Sequence, residues 1–173
     1  MRRSISTSYE ARIITSALWG GLLLLALAAP LLSAHSHPWI AALCYLVFSP
    51  ICHQDASRCF SFGALPWAVC QRCSGIYLGL FIAALLPLHM DRLPRLLRSR
   101  RNLVIACTAL LMCDAVLPIL GIWTNTPASR FLSGLFFGAM LSTLLVPGIA
   151  ELLRGFPWPH LQSHAPDIHG GTS

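Results

Sequence analysis

Residues 13–33 contain no charged side chain. As a helix rising 1.5 Å per residue, they reach about 31 Å, the thickness of a bilayer's hydrocarbon core. Such a run belongs either in the centre of a soluble bundle or in a membrane. Composition separates the two: 55% of the 173 residues are hydrophobic and 10% are charged, where soluble domains average about a quarter charged. Mean hydropathy is +0.67. This balance also excludes a disordered chain, which needs low hydrophobicity. A secretory signal is the rival for 13–33. Its apolar core would be unusually long, and residues 32–34 make a poor cleavage site.

Further apolar runs follow. Residues 39–51 lie between Pro38 and Cys52 and are too short to span. They are expected to form a re-entrant or interfacial helix ending near Pro50. A polar, cysteine-rich stretch, 52–72, contains the breakers Gly63 and Pro66. Spans are then expected at about 67–88, 102–123 and 131–150. The expected fold is all-α: an integral membrane protein with four transmembrane helices, the short helix, and a Cys-rich outer loop. Residues 1–150 form one membrane domain. Residues 151–173 read as a polar, disordered cytoplasmic tail.

All twelve basic residues are arginine, and net charge is +6. In a soluble protein this would raise nucleic acid as a partner. Here the arginines flank apolar runs, so no nucleic-acid role is expected and topology explains them. The 89–101 segment holds Arg92, Arg95, Arg98, Arg100 and Arg101 with one acid, Asp91. Positive residues stay inside, which places 89–101 in the cytoplasm of a bacterial inner membrane. Four spans then put both termini, with Arg2, Arg3 and Arg12, on the same cytoplasmic side. The cysteine-rich stretch and the 124–130 turn fall outside.

On that outer side, chemistry-bearing residues gather: Cys52, His53, Gln54, Arg58 and Cys59; Cys70, Gln71, Arg72, Cys73, Ser74, Gly75, Tyr77 and Gly79; Asp114; Asn125 and Arg130. The pattern CHQ(x4)R, then CxRCxGxYxG, an Asp-bearing helix and a turn with Asn and Arg, resembles a family of small bacterial and archaeal membrane proteins of unknown function. The resemblance covers about residues 45–140. It implies a multi-pass membrane location and a shared site, and no particular activity. Cys59 stands where the family pattern has Ser.

Three chemistries suit these residues. Cys70 and Cys73 form a CxxC pair. At a helix start, the helix dipole and Arg72 favour thiolate, the nucleophile of disulfide exchange and the form that binds metals. The first expectation is therefore thiol–disulfide redox chemistry by Cys70, Cys73 and Cys52, with Asp114 for proton exchange and a quinone or thiol protein as partner. Arg72, Gln54, Arg58, Asn125, Arg130 and Tyr77 would line a cofactor site. Cys59 could pair with Cys52. Four-helix membrane enzymes that oxidise disulfide carriers offer a fold-level analogy, although this chain lacks their second cysteine-bearing outer loop. The second expectation is a zinc or copper site of Cys52, His53, Cys70 and Cys73. Neighbouring Cys and His side chains point apart in extended chain, so three thiolates with His53 behind them fits equally. The third is an anion or anionic-lipid binder built on Arg58, Arg72 and Arg130.

Bland roles stand beside these: a structural disulfide for the cysteines, lipid-head-group contact for the arginines, and an ion pair with an arginine for Asp114, since an acid within a span is costly alone. Gly75 with Gly79 and Gly134 with Gly138 have small-xxx-small spacing. They are read as the contact between spans two and four, with homo-oligomer formation as the other use. That contact would bring Arg130 beside Cys73. Cys44, Cys107 and Cys113 read as small core residues.

Overall fold

A computed structural model describes residues 2–35, 37–86, 99–122 and 124–155. The uncharged run lies in one long helix, α1 (Arg2–Ala34), whose portion Tyr9–Ala34 is long and apolar enough to cross a membrane. The chain then turns back into α2 (Pro38–Phe48). Pro38 opens this helix, where its missing N–H costs nothing. With 11 residues, α2 reaches about 16 Å and cannot span. It packs Cys44 and Phe48 onto Ala26 and Ala29 of α1.

Next comes a hairpin, which corrects the all-α expectation. Strand β1 (Cys59–Phe62) pairs antiparallel with β2 (Leu65–Cys70), and Cys59 lies opposite Cys70. The turn is Gly63 and Ala64, with Gly63 at φ 60, the left-handed value a type II′ hairpin requires at its first position. Trp67 therefore lies in a strand, and the second long helix starts four residues later than expected. Its ring contacts Phe60 (5.2 Å) and Phe62 (5.8 Å) of β1; such cross-strand aromatic contacts hold small sheets together.

Helix α3 (Gln71–Leu85) has 15 residues, about 22 Å, less than the full core. Helix α4 (Arg100–Val116) also ends earlier than the expected 102–123. Turns at 117–122 follow, with Pro118 among them and Gly121 at φ 68. Helix α5 (Pro127–Gly155) is the second element long and apolar enough to cross a membrane. It overruns the expected 131–150 at both ends, so the helix takes in the first residues of the expected tail. Arg92, Arg95 and Arg98, Trp123 and residues 156–173 lie outside the described residues.

Named contacts give the helix directions. Trp19 stacks on Tyr77 at 5.7 Å, and Arg12 Nε donates to Ala84 O at 3.1 Å. Helices α1 and α3 therefore run antiparallel. Between α3 and α5 the glycines set the geometry. A Cβ on Gly75 or Gly79 would strike the backbone of Phe131 or Leu135; one on Gly134 or Gly138 would strike that of Arg72 or Ile76. These helices run parallel with their backbones touching, as the small-xxx-small spacing allows. The C-terminal end of α4 meets the N-terminal ends of α3 and α5 at Asp114.

The bundle thus has two distinct ends. One holds the thiols, the start of α3, Asp114, Asn125 and the start of α5. The other holds Arg12 together with Ala150, Glu151 and Arg154, which line one small cavity. The sequence expectation that the cysteine-rich stretch and the 124–130 turn share a side agrees with this arrangement. Many large apolar side chains, among them Leu24, Trp39, Leu46, Ile119 and Leu152, face outward. In a soluble monomer so much exposed apolar surface would be anomalous; facing lipid, it is not.

Candidate functional site

Cys52 is placed by the end of α2. Its N–H donates to Phe48 O at 2.8 Å, continuing the helical turn past Pro50. Its side chain joins an apolar cluster with Phe48, Ala68, Val69 and Tyr77, against which Cys70 and Cys73 pack. Cys70 ends β2 and forms the N-cap of α3; Cys73 lies in the first turn. The three sulfurs of Cys52, Cys70 and Cys73 all lie within 4.8 Å of one another. Cys70 N–H donates to Cys52 Sγ at 3.2 Å.

The local electrostatics divide the thiols. The Cys70 thiol is pushed far down, first by hydrogen bonds from the Cys52 and Cys73 thiols, with the amides of Cys73 and Arg72 adding to them. A helix start favours the anion in the same sense. Cys59 behaves oppositely: burial, then the neighbouring Cys52 and Cys70, push it up to about 12. It is a buried neutral thiol beside a centre poised to ionise. Cys44 is buried as expected, whereas Cys107 is only half-buried and Cys113 is exposed, which corrects their reading as core residues; Cys113 sits on an outward face of a helix that packs mainly on α5.

Gln54 acts as a fastener through its amide nitrogen. Its Nε2 donates to Tyr45 O (2.7 Å) and Ala68 O (2.9 Å), tying α2 to β2 across the loop that carries Cys52. Its φ of 52 is a left-handed conformation uncommon outside glycine. Tyr45 Oη adds a bond to Pro66 O at 2.5 Å. His53 is exposed and does not join the thiol set, as side chains of neighbouring residues diverge.

The arginines are mostly engaged. Arg72 donates to Asp114 Oδ2 through Nε (3.2 Å) and Nη2 (2.5 Å), and to Asp114 O at 3.2 Å. Ser133 Oγ donates to the same Oδ2 at 3.1 Å, and Asn125 Nδ2 donates to Asp114 O. Asp114 is therefore the hub joining α3, α4 and α5. This is the ion pair weighed for it in the sequence. Arg58 is exposed and pairs with Asp55 at 3.3 Å. Asp55 caps the turn at Ala56–Arg58 by accepting from Ser57, which holds its carboxyl below the usual range. Arg130 is half-buried one turn before Gly134, with its N–H on Thr126 O. Tyr77 is buried, stacked on Trp19 with Phe48 tilted against it at 6.0 Å.

Ser133 was missed from sequence, and Gln71 was noted there without a role. Ser133 offers only its place beside Gly134 as a signal. Gln71 lies inside the CxxC; it is 4% exposed, its Nε2 donates to Cys59 O at 3.5 Å, and its Oε1 is buried without a partner among the described residues.

Residues 52–144, more than half of the chain, match the family described as "Predicted membrane protein (DUF2085)". The chain belongs to this family. It is also similar to an uncharacterized protein of Methanocaldococcus jannaschii, 26% identical over 115 residues, covering 66% of this chain and 74% of that protein. No solved structure matches. The family match begins at Cys52 and takes in both cysteine motifs, Asp114, Asn125 and Arg130.

Proposed function

We propose that this membrane protein binds a thiophilic metal ion, zinc or copper, through the thiolates of Cys52, Cys70 and Cys73. The observation that carries the reading is the convergence of three sulfurs within 4.8 Å from two separate segments of the chain. Zinc–sulfur bonds of about 2.3 Å set a tetrahedral S···S edge of about 3.8 Å, so the thiols need close by only about 1 Å. Soft thiolates select zinc and cuprous copper. When bound, the metal would supply a fixed positive charge between the three thiolates. The protein's part is to supply those thiolates and hold them. The Cys70 amide and the start of α3 stabilise negative sulfur, Gln54 fixes the loop bearing Cys52, and the pair of Arg72 with Asp114 anchors the start of α3.

The test is metal analysis of the full chain, purified in detergent without chelator. One bound ion per chain, lost in Cys73→Ser, is expected. Wild-type protein that stays metal-free after exposure to both zinc and copper overturns the reading.

A second reading is thiol–disulfide redox chemistry, favoured by the CxxC at a helix start and the depressed Cys70 thiol. Oxidation of the Cys70 and Cys73 thiols to a disulfide releases two electrons and two protons, which a quinone takes up as hydroquinone. Cys70→Ser should abolish such turnover, and unchanged turnover would exclude it. The anion or lipid reading has less support, because Arg58 and Arg72 are already held by Asp55 and Asp114. From the arginine distribution, we place both termini in the cytoplasm and the thiols toward the outer face of the inner membrane. An impermeant thiol probe should reach Cys70 of metal-free protein in intact cells; labelling only after lysis reverses the orientation.

A further inference from the structure

The thiol centre has a fourth cysteine beside it that neither the three-sulfur set nor the CxxC accounts for. Cys59 begins β1 directly opposite Cys70 in the hairpin register. Residues opposite each other on antiparallel strands project to the same face, with Cβ atoms about 4.5–5.5 Å apart. Cys59 is buried, 7% exposed, so its thiol is directed into the protein. The ladder is irregular between Cys59 and Ser61. A bulge of this kind re-aims a side chain relative to regular pairing. Gln71, from between Cys70 and Cys73, bonds to the Cys59 carbonyl and ties this residue to the CxxC turn. The Cys59 sulfur is not in the set that lies within 4.8 Å, so binding as a fourth ligand requires it to move toward the other three.

We infer that Cys59 is the fourth ligand, so that Cys52, Cys59, Cys70 and Cys73 form a closed tetrathiolate site selective for zinc. This rests on the three-thiol reading above and deepens it. Four thiolates satisfy the tetrahedral preference of zinc and leave no position for water or substrate, the arrangement of a structural centre. The ion would clamp the loop after α2, both strands of the hairpin and the first turn of α3. The hairpin has only two strands, a size marginally stable by itself, and a metal crosslink at its base would fasten it to the bundle.

The experiment is zinc X-ray absorption on the full-length protein in detergent, loaded with zinc alone. Wild type is expected to show four sulfurs at about 2.3 Å. Cys59→Ser is expected to show three sulfurs and one light scatterer at about 2.0 Å, with zinc retained more weakly. Three sulfurs and one light atom already present in wild type overturn the fourth ligand while leaving the three-thiol site standing. The wild-type sulfur count decides this even if the variant fails to fold. No zinc retained by wild type overturns the tetrathiolate and the zinc form of the three-thiol site together; a copper form would still bind copper.

Discussion

Asp114→Asn changes one charge and almost no volume at the junction of three helices. The Asp114 carboxylate, with its side chain 9% exposed, accepts from Arg72 and Ser133, and Arg72 is 27% exposed. Asparagine keeps one acceptor for the guanidinium, and the bond from Arg72 to the residue-114 carbonyl can persist. What disappears is the charge that balances Arg72. Removing one partner of a buried pair costs about 3–5 kcal/mol. The residual exposure of Arg72 puts this case at the lower end, about 3 kcal/mol, or about a hundredfold in the folding equilibrium. Replacing both partners, Arg72→Met with Asp114→Leu, should cost much less, because no lone charge remains. The molecule contains its own control: Arg58 and Asp55 pair at 3.3 Å with 63% and 40% of their side chains exposed, and exposed pairs contribute little. Asp55→Asn should leave the unfolding midpoint where it is in wild type. The assay is reversible unfolding in detergent, followed by tryptophan fluorescence. Coincident curves for Asp114→Asn, Asp55→Asn and wild type would refute the reasoning. They would mean that the glycine contact alone holds the start of α3.

Other outcomes follow from the same geometry. Gly138→Ala should destabilise by about 1–3 kcal/mol, the usual cost of overpacking, because its Cβ would strike Ile76, whereas Gly148→Ala has open space inside α5 and should stabilise by up to about 1 kcal/mol through helix propensity in the same unfolding assay. In metal-free protein, iodoacetamide at about pH 6 should modify Cys70, since its folded thiol ionises below its ordinary value and is already thiolate there. Cys59, raised to about 12, should stay unmodified until strongly alkaline pH; equal labelling of both by peptide mass spectrometry at pH 6 would contradict the assignment. Gln54→Ala deletes two bonds to backbone carbonyls and should lower stability by about 1–3 kcal/mol. It should also weaken metal retention, measured by competition with a chromophoric chelator.

How far the sequence could be read depended on whether one residue's chemistry required a particular partner. An acid within an apolar helix demands a cation, so the pairing of Asp114 with an arginine was legible. Glycines four apart on two apolar helices announce backbone contact, and Gly75, Gly79, Gly134 and Gly138 meet as their spacing foretold. The hairpin was hidden. Residues 66–70 form a short apolar run without alternation, which periodicity does not distinguish from a helix start, and Pro66 with Gly63 read only as breakers. Gln54 looked like a ligand because it follows Cys52 and His53; its role depends on the carbonyls of Tyr45 and Ala68, which only the folded chain brings near. The hairpin changes what the motifs mean together. Because β2 runs straight into α3, Cys70 caps a helix and does not sit on a free loop, and Cys73 lies two residues before Gly75. The close packing of α3 on α5, the buried ion pair on Arg72 and the thiol positions are therefore set by the same first turn. A perturbation at Gly134, whose added Cβ would strike Arg72 O, should be felt at the sulfurs even though Gly134 itself has no chemistry to contribute.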